Sequence, residues 1–278
     1  MTQQSGQQQT NLTSPVPNGG AKTALPGITS AKPLGGKNYG SIAHLPGSRL
    51  GPGDHKCHEG QERICNTKTR DKHDLIIVQE KLDGSNVGVA KISGQICALT
   101  RAGYLARTSP YEQHHRFSEW VERNSARFAV LLGEGERVVG EWLLQAHGTR
   151  YDLPHEPFVA FDLMRGTTRA TYKELRERTA GLFTTPHTVH VGGALSIADA
   201  MSMLGDFGAH GALDPIEGAV WRVERNELTS PNGGERRWVV DFLAKYVRPD
   251  KADGSYLESV TGLPTVWNVA RQPVAEAA

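Results

Sequence analysis

Lys81 stands in an unusual setting for a lysine. The stretch Glu80-Lys81-Leu82-Asp83-Gly84-Ser85-Asn86 separates two apolar runs, Leu75-Ile76-Ile77-Val78 and Val87-Gly88-Val89-Ala90. Apolar runs of that length bounded by Asp and Gly are strand-like, so the lysine belongs to a tight connection held by backbone on both sides. An amine fixed in this way is a nucleophile once it loses its proton. Because a free lysine has a reference pKa of about 10.4, only about one part in a few thousand is neutral at pH 7. Chemistry at Lys81 therefore needs neighbours that favour the neutral form, such as a second cation close by.

Further along the chain are residues that such a nucleophile could use. Arg101 follows the run Gln95-Ile96-Cys97-Ala98-Leu99-Thr100 and precedes Gly103, a strand end where a guanidinium can grasp phosphate or ribose. Glu141 and Asp162 each interrupt an apolar run, Arg137–Leu144 and Pro157–Leu163, and a carboxylate buried in a strand needs a partner. Glu217 opens the Glu-Gly-x-Val stretch at 217–220, and Lys245 lies in the run from Trp238 to Arg248. His55-Lys56-Cys57-His58 with Cys65 invites a zinc reading, but the spacing matches no usual paired-ligand pattern.

The elements that must position these residues are those of one large domain. The chain has 278 residues, 38% of them apolar and 22% charged, ample for a sizeable core. A net charge of +1 excludes a bulk polycation, so any nucleic-acid contact comes from a local patch. Three cysteines argue against a disulfide framework, no apolar run reaches membrane-span length, and the N-terminus lacks a secretory pattern, so the expectation is a cytoplasmic protein with no membrane partner.

Residues 1–37 read as a disordered polar tail and 38–74 as a basic, loop-rich lead-in. Ser93-Gly94 reads as a hairpin turn and Pro231-Asn232-Gly233-Gly234 as another. Ser109 is expected to cap a helix whose buried stripe is Phe117, Trp120, Val121, Phe128, Leu131 and Leu132; Thr171 and Ser196 open two further helices. The total is at least seven strands joined by hairpins and loops with a few helices, an α+β fold with mainly antiparallel sheets. No Gly-x-Gly-x-x-Gly opens a helix after a strand and no P-loop is present, which disfavours the Rossmann and P-loop folds.

Lys81-x-Asp83-Gly84, the acid Glu141, Glu217-Gly218-x-Val220 and Lys245 follow one another in an order that resembles the covalent nucleotidyltransferases, the polynucleotide ligases and mRNA capping enzymes. The resemblance runs from about Leu75 to Arg248. DNA ligases and capping enzymes typically carry Arg five residues after the lysine, where this chain has Asn86. Glu-Lys-x-x-Gly-x-Asn is similar to the RNA ligase branch, that of the nick-sealing and RNA-editing ligases.

The resemblance implies a nucleotidyltransferase domain over 75–255 with ATP in a cleft. Lys81 would attack the α-phosphate of ATP, expel pyrophosphate and carry AMP. Glu80, Leu82, Asn86 and Arg101 would line the nucleotide site, with Glu80 at the adenine edge and Asn86 and Arg101 at ribose and phosphate. Glu141 would bind a ribose hydroxyl and Phe161 would stack on adenine. Glu217 would meet the metal, magnesium with manganese as a substitute, and Lys245 the α-phosphate. Lys245 and the cation are expected to depress the pKa of Lys81. The substrate implied is RNA with 5′-phosphate and 3′-hydroxyl ends.

Two departures from the family pattern stand out. The second lysine of the last motif is replaced by Val247, for which Arg248 and Lys251 are the substitutes at hand, and residues 256–278 read as a tail without a separate end-binding domain. The loop Gln145–Arg150 and the basic segment Arg49–Lys72 are the candidates for gripping RNA ends. Other readings are a DNA ligase, a GTP-using capping-type enzyme, or a homologue that binds RNA or nucleotide without turnover.

Overall fold

The computed structural model describes residues 31–230 and 233–270. The first elements are β1 (Ala43–His44) and α1 (Glu59–Asn66). Both fall in the stretch expected to be loop. Helix α1 escapes sequence patterning because it buries only Ile64 and Cys65 and is capped by His58, whose Nδ1 accepts from Gln61 N at 3.3 Å, instead of by the usual Ser, Thr, Asp or Asn. The apolar run before Lys81 forms β2 (Asp74–Lys81), and the run after it forms β3 (Ser85–Ile92). β4 (Gln95–Thr100) returns through Ser93 and Gly94, both at positive φ (52° and 74°), as a two-residue primed turn requires.

Next come α2 (Glu112–Arg123), α3 (Ser125–Leu131), β5 (Glu136–Trp142), β6 (Asp152–Leu153), β7 (Phe158–Arg165) and β8 (Thr168–Arg169). Ser109 does not cap α2. Its hydroxyl closes a turn onto Tyr111 N (3.3 Å) and meets His114 Nδ1 (2.6 Å), and the N-cap is Tyr111. The expected stripe does form core: Phe117, Trp120, Val121, Phe128, Leu131 and Leu132 pack with Trp142 and Phe158.

The chain continues through α4 (Tyr172–Thr179), β9 (Thr188–Gly192), α5 (Ile197–Leu204), β10 (Gly218–Leu228), β11 (Arg236–Val247), α6 (Glu258–Thr261) and β12 (Val269–Ala270). Thr171 and Ser196 cap α4 and α5 as expected, accepting from Glu174 N and Asp199 N. Of the turn expected between β10 and β11, Pro231 and Asn232 lie outside the described residues.

Two five-stranded sheets result, in the orders β1-β11-β10-β2-β9 and β4-β3-β5-β7-β8. All their pairings are antiparallel except β1 with β11. The fold is α+β, as the sequence implied. β2 and β3 are consecutive in the chain but belong to different sheets, so Leu82-Asp83-Gly84 is the crossing between them. One face of the first sheet packs on α5 through Ile76, Val78, Trp221 and Ala244; the second sheet packs on α2, α3 and α4.

Both ends of the expected domain are more extensive than the sequence suggested. Within the expected N-terminal tail, Ala31–Lys37 lies against the second sheet: Leu105 N donates to Ala31 O at 3.2 Å and Leu34 packs on Leu99 and Leu105. Residues 1–30 lie outside the described residues. Within the expected C-terminal tail, β12 pairs with β6, and the buried Asn268 donates to Leu143 O (2.6 Å) and accepts from Tyr151 N (2.9 Å). Residues 271–278 lie outside the described residues. Among the described residues no helix is long and apolar enough to cross a membrane.

Candidate active site

Strand alternation aims the first sheet's inner face at the second. Gln79 and Lys81 on β2, Val220 and Arg222 on β10, and Leu243 and Lys245 on β11 share that face and line a cleft of about 750 Å³ between the sheets. From the second sheet come Asn86 on β3 and Glu141 on β5, which are register partners, and Phe161 on β7. Phe161 is the extra residue of a β-bulge, since Gly140 pairs with Ala160 and Val139 with Asp162. A bulge re-aims its side chain, and the Phe161 ring meets Tyr39 edge-on at 5.3 Å on the cleft wall. Glu80, Leu82, Arg101 and Glu217 line the same cleft, so all nine residues picked from sequence converge.

The centre is an ion pair. Lys81 Nζ lies 2.6 Å from Glu217 Oε2, because Lys81 is the register partner of Gly218 and Glu217 is the residue before it. Gly218 has φ 158°, and a Cβ there would stand 1.9 Å from Tyr246 O, so only glycine lets β10 start this close to β11. Glu141 Oε1 accepts from Gly84 N at 3.2 Å.

The electrostatics of the site differ from the expectation for Lys81. Burial acts to lower its pKa, but the carboxylates of Glu217, Glu141 and Asp83 outweigh it, and the net direction is up. Burial pushes the Glu141 carboxyl up to about 8, partly offset by Lys81. Glu217 is likewise raised, by burial and then by Asp83, against the pull of Lys81. Lys245 is lowered by burial and by Lys81.

Glu80 is 1% exposed; its Oε2 accepts from Ala209 N at 2.9 Å, while Oε1 has no protein partner. Burial lifts its carboxyl to about 7. Asn86 Oδ1 is also buried without a protein partner. Two orphaned acceptors, one from each sheet, are what a ligand carrying donor groups would satisfy.

Asp83 and Asp162 have structural partners instead. Asp83 Oδ2 accepts from Gly148 N (3.0 Å) and Thr149 Oγ1 (3.3 Å) and pairs with Lys251 Nζ at 3.3 Å, while its N–H donates to Tyr151 Oη at 3.1 Å. Asp162 joins the sheets: it accepts from Arg222 on β10 (3.2 Å), Arg169 on β8 (2.7 Å) and Tyr39 Oη (3.1 Å).

These contacts correct two expectations. Lys251 is 8% exposed and also donates to Gly148 O (2.9 Å), and Arg248 pairs outward with Asp250 (2.8 Å), so neither takes the place of a lysine at Val247. The loop 145–150 is largely scaffold around Asp83, with Ala146 and Thr149 fully buried and Arg150 exposed. Sequence reasoning missed Gln79, Ser85, Tyr111 and His114, which also line the cleft, as does His147 of the 145–150 loop. Burial presses His114 down to about 4, so it is a neutral donor and acceptor between Ser85 Oγ (3.0 Å) and Ser109 Oγ (2.6 Å). No motif marks these residues; the Ser85–His114 contact joins β3 to α2, while Gln79 comes in on β2 and His147 in the loop after β5.

Among the described residues no group of three or more His, Cys, Asp or Glu is placed to hold a metal by itself. Glu217 beside Glu141 fits the mode in which magnesium takes one or two carboxylates and fills its shell with water and phosphate oxygens.

No curated protein sequence matches. Among solved structures, an archaeal ATP-dependent RNA ligase is 20% identical with a TM-score of 0.42, over 75% of this chain and 48% of that one. A Naegleria gruberi RNA ligase solved with PPi is 15% identical with a TM-score of 0.45, over 86% and 64%. A mutant of the Naegleria ligase solved with ATP and Mn is 14% identical with a TM-score of 0.45, over 74% and 59%. The chain thus spans about half the length of the archaeal protein and under two thirds of the Naegleria one. The RNA ligase family model matches residues 74–247, from the first residue of β2 to the last of β11 and so over more than half of the sequence; this chain belongs to the RNA ligase family.

Proposed function

We propose that the protein is an ATP-dependent RNA ligase that adenylates its own Lys81, passes AMP to an RNA 5′-phosphate and joins that end to a 3′-hydroxyl. The observation that carries this reading is Lys81 Nζ at 2.6 Å from Glu217, in a cleft also lined by Lys245, Glu141, Asn86, Arg101 and Phe161.

In the first step the Lys81 nitrogen attacks the α-phosphorus, an N–P bond forms, and the P–O bond to pyrophosphate breaks. Lys81 must first shed a proton, and the Glu217 carboxylate, 2.6 Å from its Nζ, is the acceptor within reach. Lys245 and Arg101 stabilise the charge on the α-phosphate as it is attacked. Phe161 stacks on adenine, Glu141 and Asn86 hold the ribose, Leu82 packs beside them, and Glu80 presents its free Oε1 to the base. A divalent cation at Glu217, magnesium or manganese, supplies charge neutralisation when bound. The two later transfers are again attacks at phosphorus and use the same charges.

The test is incubation with magnesium and ATP labelled at the α-phosphate, followed by denaturation. Wild type is expected to retain label and Lys81→Ala to retain none; an unlabelled wild type would sink the ligase reading. GTP in place of ATP tests capping-type chemistry. One observation favours a second reading, a homologue that binds RNA or nucleotide without turnover: Val247 is buried, and Arg248 and Lys251 are engaged elsewhere. Retained ATP binding without label would select it.

A further inference from the structure

The edge of β11 that faces away from β10 carries an arrangement that the steps above leave unused. Residues 43–57 run along it as a strap. β1 pairs with β11 in the register His44↔Lys245, Leu45 N donates to Lys245 O (2.8 Å), and Arg49 N donates to Val247 O (2.9 Å). Val247 N donates to Ser48 Oγ at 2.9 Å, and the same hydroxyl lies 2.6 Å from His44 Nδ1. The backbone on both sides of Lys245 is therefore held by the strap.

The strap also carries a carboxylate. Asp54 Oδ1 lies 3.6 Å from Lys245 Nζ, while its Oδ2 accepts from Gly51 N at 2.9 Å and lies 3.1 Å from Nε2 of His44, which is 1% exposed. The other charged groups that act on Lys245 are Lys81, Arg101 and Glu217. Two of these three are cations that repel it, and Glu217 is engaged with Lys81. Asp54 is held against its own burial by the Gly51 N–H, Lys245 and His44, which together keep its carboxyl below the ordinary range.

We propose that Asp54, fixed by His44 and the Gly51 N–H, is a positioning residue that holds the Lys245 ammonium at the cleft wall in a chain whose position 247 carries valine. This rests on the reading of Lys245 as the α-phosphate contact. A purely structural role for the pair is a poor fit to its exposure: the Lys245 and Asp54 side chains are 18% and 29% exposed, and ion pairs open to solvent contribute little to stability. Its value lies in where it keeps a charge.

The experiment is a double-mutant cycle on single-turnover labelling of Lys81 at saturating ATP and magnesium, using the full chain. Asp54→Asn is expected to slow labelling about tenfold and Asp54→Glu to recover most of that, with melting temperatures within about 2 °C of wild type. Lys245→Met is expected to lose about a hundredfold or more, and the double variant to be no slower than Lys245→Met alone. Losses that multiply in the double variant, or Asp54→Asn labelling at the wild-type rate, would overturn the inference. Absence of label on wild type counts against the ligase reading and is distinct from either result. The pair then has its own readout, NMR of 13C-dimethylated lysines: Lys245 titrates at lower pH in Asp54→Asn than in wild type, and identical titrations overturn the pairing.

Discussion

Glu80 shows how one side chain can couple the cleft to pH. Its carboxyl is pushed from 4.5 to about 7 by burial, so the folded chain holds a proton there that the unfolded chain releases. The stabilisation is fully present below pH 4.5 and is lost as pH rises through about 7, with a span on the order of 3 kcal/mol. Glu80→Gln should remove this slope. Thermal melts at pH 5 and pH 8 are expected to diverge less in the variant than in wild type, with the gain in melting temperature at pH 8. An equal shift at both pH values would show that Glu80 stays ionised. A ligand that donates to Oε1 would oppose protonation, so nucleotide binding should release a proton near neutral pH.

Among the elements, the crossing Leu82-Asp83-Gly84 is closely constrained. A Cβ on Gly84 would lie 2.6 Å from Trp142 O and 2.9 Å from Leu143 Cδ2, so the crossing fits only by touching β5. Gly84→Ala is expected to cost about 1–3 kcal/mol in urea denaturation and to slow labelling of Lys81 by displacing it from Glu217. Unchanged stability and rate would show that β5 yields.

Much at this scale was legible beforehand. The strands flanking Lys81, the Ser93-Gly94 turn, the caps at Thr171 and Ser196 and the aromatic stripe of α2 and α3 each write a period or a turn type into the residues. The strap was not legible, because β1 is two residues long and its order comes from hydrogen bonds to β11, nearly two hundred residues away. The role of Lys251 escaped for a similar reason, since its partner Asp83 lies far off in the sequence. The direction of the Lys81 shift is not legible because the sequence offers Glu141, Glu217 and Lys245 alike as neighbours, and only the fold sets Glu217 at 2.6 Å.

At the scale of the whole molecule the two sheets are joined by buried charge. Arg222 on β10 pairs with Glu224 on its own strand at 2.8 Å and with Asp162 on β7 at 3.2 Å, and Asp162 also binds Arg169 and Tyr39. Asp162 is fully buried, and Asp162→Ala would take the carboxylate from Arg169 and the Tyr39 hydroxyl and leave Arg222 with Glu224 alone. The expected loss is about 3–5 kcal/mol, measured as a lower urea midpoint. A loss below about 1 kcal/mol would mean that water fills the gap. Replacing the cluster together by apolar residues should cost far less, since the charges are expensive to bury and strong only in company.

The crossing at Leu82–Gly84 divides the labour between the sheets. Lys81, Glu217 and Lys245 belong to the first sheet's side, Asn86, Glu141 and Phe161 to the second. In the proposed reaction the first would manage phosphorus and the second would recognise the nucleoside. An AMP carried on Lys81 would then be a tether across the seam, bonded to one half and cradled by the other. Its departure would uncouple them, so the charge state of a single lysine would also be a report on whether the two halves are joined through cargo or only through protein.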